Sequence, residues 1–155
     1  MTDGFIGLKF ANDLITLLNG KWKASGGAKP LFQTQWNMKN VGLGSRNYNQ
    51  VIISIDAENP QIYSMMQGDA TDATKFTYDW LHDVSISIDV RTSESESRVL
   101  QLVDEIMRIL KTNVVPTINN RTYIQMLPEG VTSLNEEYRN LYRYLISVSA
   151  IKLNP

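Results

Sequence analysis

His82 is the single histidine of the chain and stands beside Asp83. A histidine–aspartate pair can relay a proton when a nucleophile or a metal completes the set. Here the two are neighbours in an alternating run, and adjacent strand residues point to opposite faces, so they are poorly placed to cooperate. A histidine at the margin of the core is the reading that fits. Asp69 and Asp72 in "GDATDA" offer two loop carboxylates. A calcium loop needs more oxygen ligands at fixed offsets and a closing bidentate carboxylate, and Glu58 is too far upstream to supply it. "SGGAKP" at 25–30 is glycine-rich and basic, but it lacks the Gly-Lys-Ser/Thr ending of a phosphate loop and leads into no helical pattern. "GKWKASGGAK" at 20–29 mixes aromatic and basic residues as single-strand nucleic-acid binders do. The net charge of −1 is not the basic footprint of a dedicated one. With no cysteine in the chain, disulfides, thiolate nucleophiles and cysteine metal ligands are excluded together. These residues predict no enzyme, no metal and no cofactor, and favour a structural or interaction module.

The elements that carry these residues are legible in part. Val84, Ile86, Ile88 and Val90 alternate with Asp83, Ser85, Ser87, Asp89 and Arg91, which predicts a half-buried strand with one wet face over about 76–91. Trp80 and His82 continue the apolar parity. Val99, Leu102, Val103, Ile106, Ile109 and Leu110 then form one stripe at helical spacing, predicting a helix over 93–111. "SESES" at 93–97 reads as its start: Ser93 with Glu96 fits a capping box, the acids suit the helix N-terminus, and Arg108 and Lys111 suit the C-terminus. Capping accounts for this run better than a phosphorylation or anion-sensing site. Phe10, Ala11, Leu14, Leu17 and Leu18 predict a first helix near 4–18, and Phe32, Thr34 and Trp36 a short strand. Further strands are expected at 51–57, 121–127 and 141–153, with polar connections at 58–73 and after Pro128. Tyr142 and Tyr144 share one face of the last strand, which suits a core or interface better than base stacking. The order predicts an α+β fold: a mostly antiparallel sheet of four or slightly more strands, helices packed on one face, and a single unit over 1–155 with an extended loop or arm at 20–50.

The 155 residues are 43% hydrophobic and 20% charged, a globular composition. No apolar run approaches the roughly 20 residues that span a bilayer, and "MTDGFIGLKF" has no signal-peptide pattern. The small net charge hides an asymmetry: +4 over residues 1–50, −8 over 51–105 and +3 over 106–155. Such segregation suits opposite faces that meet in copies of one chain.

"WLHDVSISIDVRTSESESRVLQLVDEIMRIL" at 80–110, followed by a strand pair and a final "EEYRNLYRYLISVSAIKL", resembles the tail terminator or tail-completion proteins of long-tailed bacteriophages. The resemblance covers roughly residues 76–153 and, more loosely, the first helix. It implies a virion protein at the tail–neck junction, assembled in the host cytoplasm. It also implies a ring, usually a hexamer, that caps the tail tube, ends its polymerisation and joins the tail to the head connector. DNA would pass through the lumen without sequence-specific binding, and no membrane is involved. Trp22, Trp36, Met38 and Tyr48 of the arm then suit contacts to a neighbouring subunit or the tube, since aromatic residues and methionine are enriched in interface cores. Asp83 and Asp89 suit a channel wall that does not grip phosphates. Two other readings compete: a small ferredoxin-like regulatory domain that dimerises around a small-molecule ligand in a glycine-lined pocket, and a single-strand nucleic-acid binder using the 20–50 arm.

Overall fold

The computed structural model describes residues 4–37, 49–67, 76–135 and 141–154. Helix α1 (Ile6–Lys21) leads through a 3-10 turn (Ala24–Gly26) into strand β1 (Leu31–Thr34) and a second 3-10 turn (Gln35–Asn37). Strands β2 (Asn49–Gln67) and β3 (Phe76–Thr92) follow, then helix α2 (Glu96–Thr112). Two short strands, β4 (Thr117–Ile118) and β5 (Arg121–Thr122), precede the long strands β6 (Gln125–Ser133) and β7 (Tyr142–Asn154). The main sheet has five strands in the order β1-β2-β3-β7-β6. Among the described strand pairs only β1–β2 is parallel. Both helices lie on one face, so the fold is of the expected α+β class. Among the described residues no helix is long and apolar enough to cross a membrane.

The core is where the two periodicities meet. Val84, Ile86, Ile88 and Val90 of β3, with Val51 and Ile53 of β2 and Ile146 and Val148 of β7, form one cluster with the α1 residues Phe10, Leu14 and Leu18 and the α2 residues Val99, Leu102, Ile106 and Ile109. Helix α2 starts at Glu96, later than the expected 93, and its cap is Ser95, not Ser93: the Ser95 hydroxyl accepts from the Arg98 amide at 3.1 Å. The third helical position is therefore Arg98, so the reciprocal acid of a capping box is absent. Glu94 instead pairs with the Arg98 side chain, 3.3 Å away. Helix α1 has no side-chain cap of its own. Glu58 of β2 replaces one, accepting from the Gly7 amide at 2.6 Å, where a carboxylate meets both an orphan donor and the positive end of the helix.

Two expected connections are strands. Residues 58–67 continue β2, and residues 128–133 continue β6. "AENPQ" and "LPEG" carry turn residues, but each lies where a sheet tolerates them. Register shifts fall between Ile55 and Ala57 and between Ile62 and Ser64 in β2, and between Pro128 and Gly130 in β6. Pro60 lies past the end of β1, where no described strand pairs with that side of β2, and β6 is itself an edge strand. A proline there removes no ladder bond, and a bulge absorbs the extra residue.

The expected 20–50 arm also needs correction, because residues 21–28 are bound to α2 within the chain. Glu105 is buried and accepts from the Lys23 amide (2.9 Å), the Ser25 hydroxyl (2.8 Å) and Arg108 (2.5 and 3.0 Å). Arg98 donates to the carbonyls of Gly26 and Ala28, each at 2.6 Å, and Arg108 to that of Lys21 at 2.8 Å. Gly26 is required in this pad, since a Cβ there would lie 2.6 Å from Glu105 and 2.7 Å from the Trp22 ring. The Arg108 hydrogen bonds, helped by the Lys23 amide and Ser25 hydroxyl and opposed by burial, hold the Glu105 carboxyl down to about 2. A carboxylate whose folded pKa lies below its ordinary 4.5 contributes stability above that value and loses it as the pH falls towards 2. Glu105→Gln is therefore expected to be less stable than the parent chain by up to roughly 3 kcal/mol at pH 7, the gap closing between about pH 4.5 and 2. Urea titrations at pH 7, 4 and 2.5 measure it. A gap independent of pH would mean that packing, and not the charge, sets the loss.

Candidate functional site

Since the even-numbered residues of β3 from Val84 to Val90 lie in the core, the odd-numbered ones occupy the opposite face, which no described helix covers. Residues directly opposite across strands share that face. The register places Ser54, Ser87 and Ser147 in one row and Ser85 beside Ser149 in the next. The centre of the bare face is thus a patch of five hydroxyls, short side chains that leave the sheet smooth. The Ser87 hydroxyl donates to Asp56 at 2.5 Å.

Above the serines sits a charged cluster that the sequence did not reveal. Asp89 accepts from Arg91 of its own strand at 2.6 and 3.0 Å and from Arg143 of β7 at 2.7 and 3.2 Å. Asp89 is only 8% exposed. Burial opposes its ionisation, but the hydrogen bonds and positive charge of Arg91 and Arg143 outweigh burial and keep its carboxyl below the usual carboxylate range. The expectation of Asp89 as a free charge on a wet face is therefore corrected: two arginines surround it, and the cluster carries one net positive charge. Asp83 lies on the same face, partly buried, opposite Asn59 of β2 and Ile151 of β7. Strand parity alone puts Arg91 on this face. Nothing local announces that Arg143, 54 residues away, joins it.

His82 and Asp83 do part to opposite faces. His82 is buried on the helix side, its Nδ1 lying 3.6 Å from the Glu58 carboxylate that caps α1. Neither of its ring nitrogens has a hydrogen-bond partner among the described residues. Trp22 is engaged within the chain: its indole donates to the Gly27 carbonyl at 3.1 Å, and its ring stands edge-on to Phe32, with centroids 5.7 Å apart. Trp36 is 47% exposed in the turn after β1. Met38, Tyr48, Asp69 and Asp72 lie outside the described residues. Among the described residues no group of three or more metal-ligating side chains occurs.

No protein-family model matches the chain, and no curated protein matches it. A solved structure does. The chain shares its fold with a chain described as "Virion of native gene transfer agent (GTA) particle". The TM-score is 0.52 at 13% sequence identity, and the match covers 94% of each chain. That likeness concerns the whole architecture, from α1 to β7, and not a local motif.

Among the other readings of the sequence, the ferredoxin-like one expects a split β-α-β, with two parallel strands joined through a helix. The parallel pair here is β1–β2, and the described residues between those strands form a 3-10 turn and no α-helix. The nucleic-acid reading of 20–29 meets a segment whose tryptophan and backbone are already bonded inside the chain.

Proposed function

We propose that this chain is a structural protein of a phage-like virion. Its copies close into a hexameric ring that caps the tail tube, ends its polymerisation and joins the tail to the head connector. The observation that carries the reading is the fold shared with a virion chain over 94% of both lengths. The resemblance of residues 76–153 to tail terminators supplies the finer role. In this reading the chain works without catalysis or cofactor. Its partners are further copies of itself, the tail tube protein and the head-completion protein, and its place is the tail–neck junction.

The bare sheet face supports a lumenal wall. The serine hydroxyls carry no charge, and the one net positive charge of the Asp89–Arg91–Arg143 cluster is offset on the same face by Asp56 and Asp83, so passing DNA meets few phosphate contacts, and each contact avoided removes affinity and salt dependence. The channel idea thus shifts from repulsion by aspartates to a wall of small, weakly charged groups, with Asp56 and Asp83 as further acids on it. Particles assembled without the chain are expected to carry overlong tails that do not join heads. Normal-length tails joined to heads in its absence, seen by electron microscopy, would remove the reading. Within intact rings, Asp83→Lys is expected to slow DNA release and to make that release depend more steeply on salt. Unchanged release would take the bare face out of the lumen while leaving the ring.

A further inference from the structure

Among the described residues no strand pairs with the outer side of β1 or of residues 131–134 in β6, and these two edges match. Following the register across it, Leu31 of β1 lies level with Gln50, Arg91, Arg143 and then Leu134, which donates its amide to Arg143 at 2.8 Å. Thr34 lies level with Ile53, Ile88, Ile146 and Val131. Residues 31–34 and 131–134 are therefore opposite edges of one row. Leu31 and Leu134 sit at its two ends, on the helix-free face, and are 44% and 38% exposed.

Edge strands are normally blunted by prolines, bulges or charge. Here those devices are elsewhere. In β6 they fall at Pro128–Gly130, and in β2 at Ala57, Pro60 and Ser64. Residues 131–134 carry none, and because the Leu134 amide turns inward, alternation turns the Val131 and Ser133 amides outward. Directions also match. β1 runs parallel to β2, and each step from β2 through β3 and β7 to β6 is antiparallel, so β6 runs opposite to β1. A copy rotated about an axis along the strands would place its β1 antiparallel to β6 of the first. Charge matches too. Among the described residues, Lys21, Lys23 and Lys29 precede β1 with no acid over 21–37, while Glu129 stands in β6 with no basic residue over 125–135.

We propose that these two edges join copies of this chain head to tail, with β6 of one copy continuing the sheet into β1 of the next. The contact is heterologous, so it closes into a ring when the rotation closes. It combines main-chain pairing at 131–134 with burial of Leu31 against Leu134. The proposal rests on the ring reading above and assigns its interface.

The chain contains no cysteine, so a paired substitution reads the contact directly. Neighbouring strands hold opposed Cα atoms about 4.5–5.5 Å apart, within disulfide reach. The double variant Leu31→Cys with Leu134→Cys changes only exposed side chains. Mild oxidation of it is expected to give a ladder of covalent multimers on a non-reducing gel, rising to the ring size that native mass spectrometry gives for the unmodified chain. Each single variant is expected to give no ladder. Dimers from Leu134→Cys alone would mean two-fold pairing of β6 edges and would overturn the proposal. Rings in native spectra without a ladder from the double variant would overturn the interface and leave the ring reading standing. A chain that stays monomeric at every concentration and with its tube partner would remove both.

Discussion

Replacing Asp13 by Ala is expected to destabilise the fold by about 3–5 kcal/mol, the range for removing one partner of a buried ion pair. Asp13 lies on the buried side of α1, fully excluded from solvent. Its carboxylate accepts from Arg121 at 2.7 Å through two nitrogens, from the Asn119 amide at 2.9 Å and from the Tyr123 hydroxyl at 2.5 Å. These donors belong to the small β4–β5 hairpin and the residue after it. Its two-residue turn places Asn119 and Asn120 at φ of 51° and 63°, the left-handed region that such hairpin turns require and that asparagine tolerates. The hydrogen bond to Asp13 is the main cause raising the Arg121 pKa, while burial first and then Asp13 push the Tyr123 phenol well above its usual value. Without Asp13, a partly buried guanidinium and a buried phenol lose their acceptor. The Phe10–Tyr123 ring contact, 5.0 Å between centroids, would loosen with them. Urea unfolding measures the loss, and the double change Asp13→Leu with Arg121→Met should recover much of it, because an apolar pair leaves no orphan charge. A loss below about 1 kcal/mol for Asp13→Ala would mean that water reaches the network in solution.

Ile106→Ala is the second large effect, at about 2–5 kcal/mol. Ile106 is fully buried at the centre of the α2 stripe, in the cluster that includes Ile86 and Ile88 of β3 and Ile146 of β7. Truncation loses the transfer free energy of the removed carbons and leaves a cavity that sheet and helix cannot close without breaking register. Leu100→Ala, on an exposed position of the same helix, is the control and should change stability by no more than about half a kcal/mol. Equal losses at the two positions in denaturant titration would place the packed face elsewhere.

Both predictions show how unevenly the sequence carried the structure. Ile106 was readable: its partners at 99, 102, 103, 109 and 110 are close in sequence, and a 3.6-residue period turns them to one side whatever the rest of the chain does. The same is true of β3, where strict alternation assigns each residue to a face, and of the first helix. Asp13 was not readable. An aspartate at that spacing looks like a solvated interruption, and its three partners arrive from more than 100 residues away.

The sequence by itself determined the elements whose order is local: two amphipathic helices, the half-buried strand β3 running into a serine-capped helix, the last strand, and hence the α+β class. It also determined that His82 and Asp83 face apart, because that follows from strand geometry alone. Only the tertiary structure decided how far the strands run and what their polar residues do. β2 passes through Glu58, Asn59 and Pro60 because β3 supplies backbone partners on one side while no described strand pairs with the other. β6 passes Pro128 for the same reason. Residues 21–28 read as a loose arm until α2 offers Glu105 and Arg98 to their backbone. Asp89 reads as an exposed acid until pairing with β7 brings Arg143 beside it. In each case the deciding interaction is a hydrogen bond or ion pair between residues far apart in the chain. The free energy of such a bond depends on a desolvated site that exists only once the sheet has assembled.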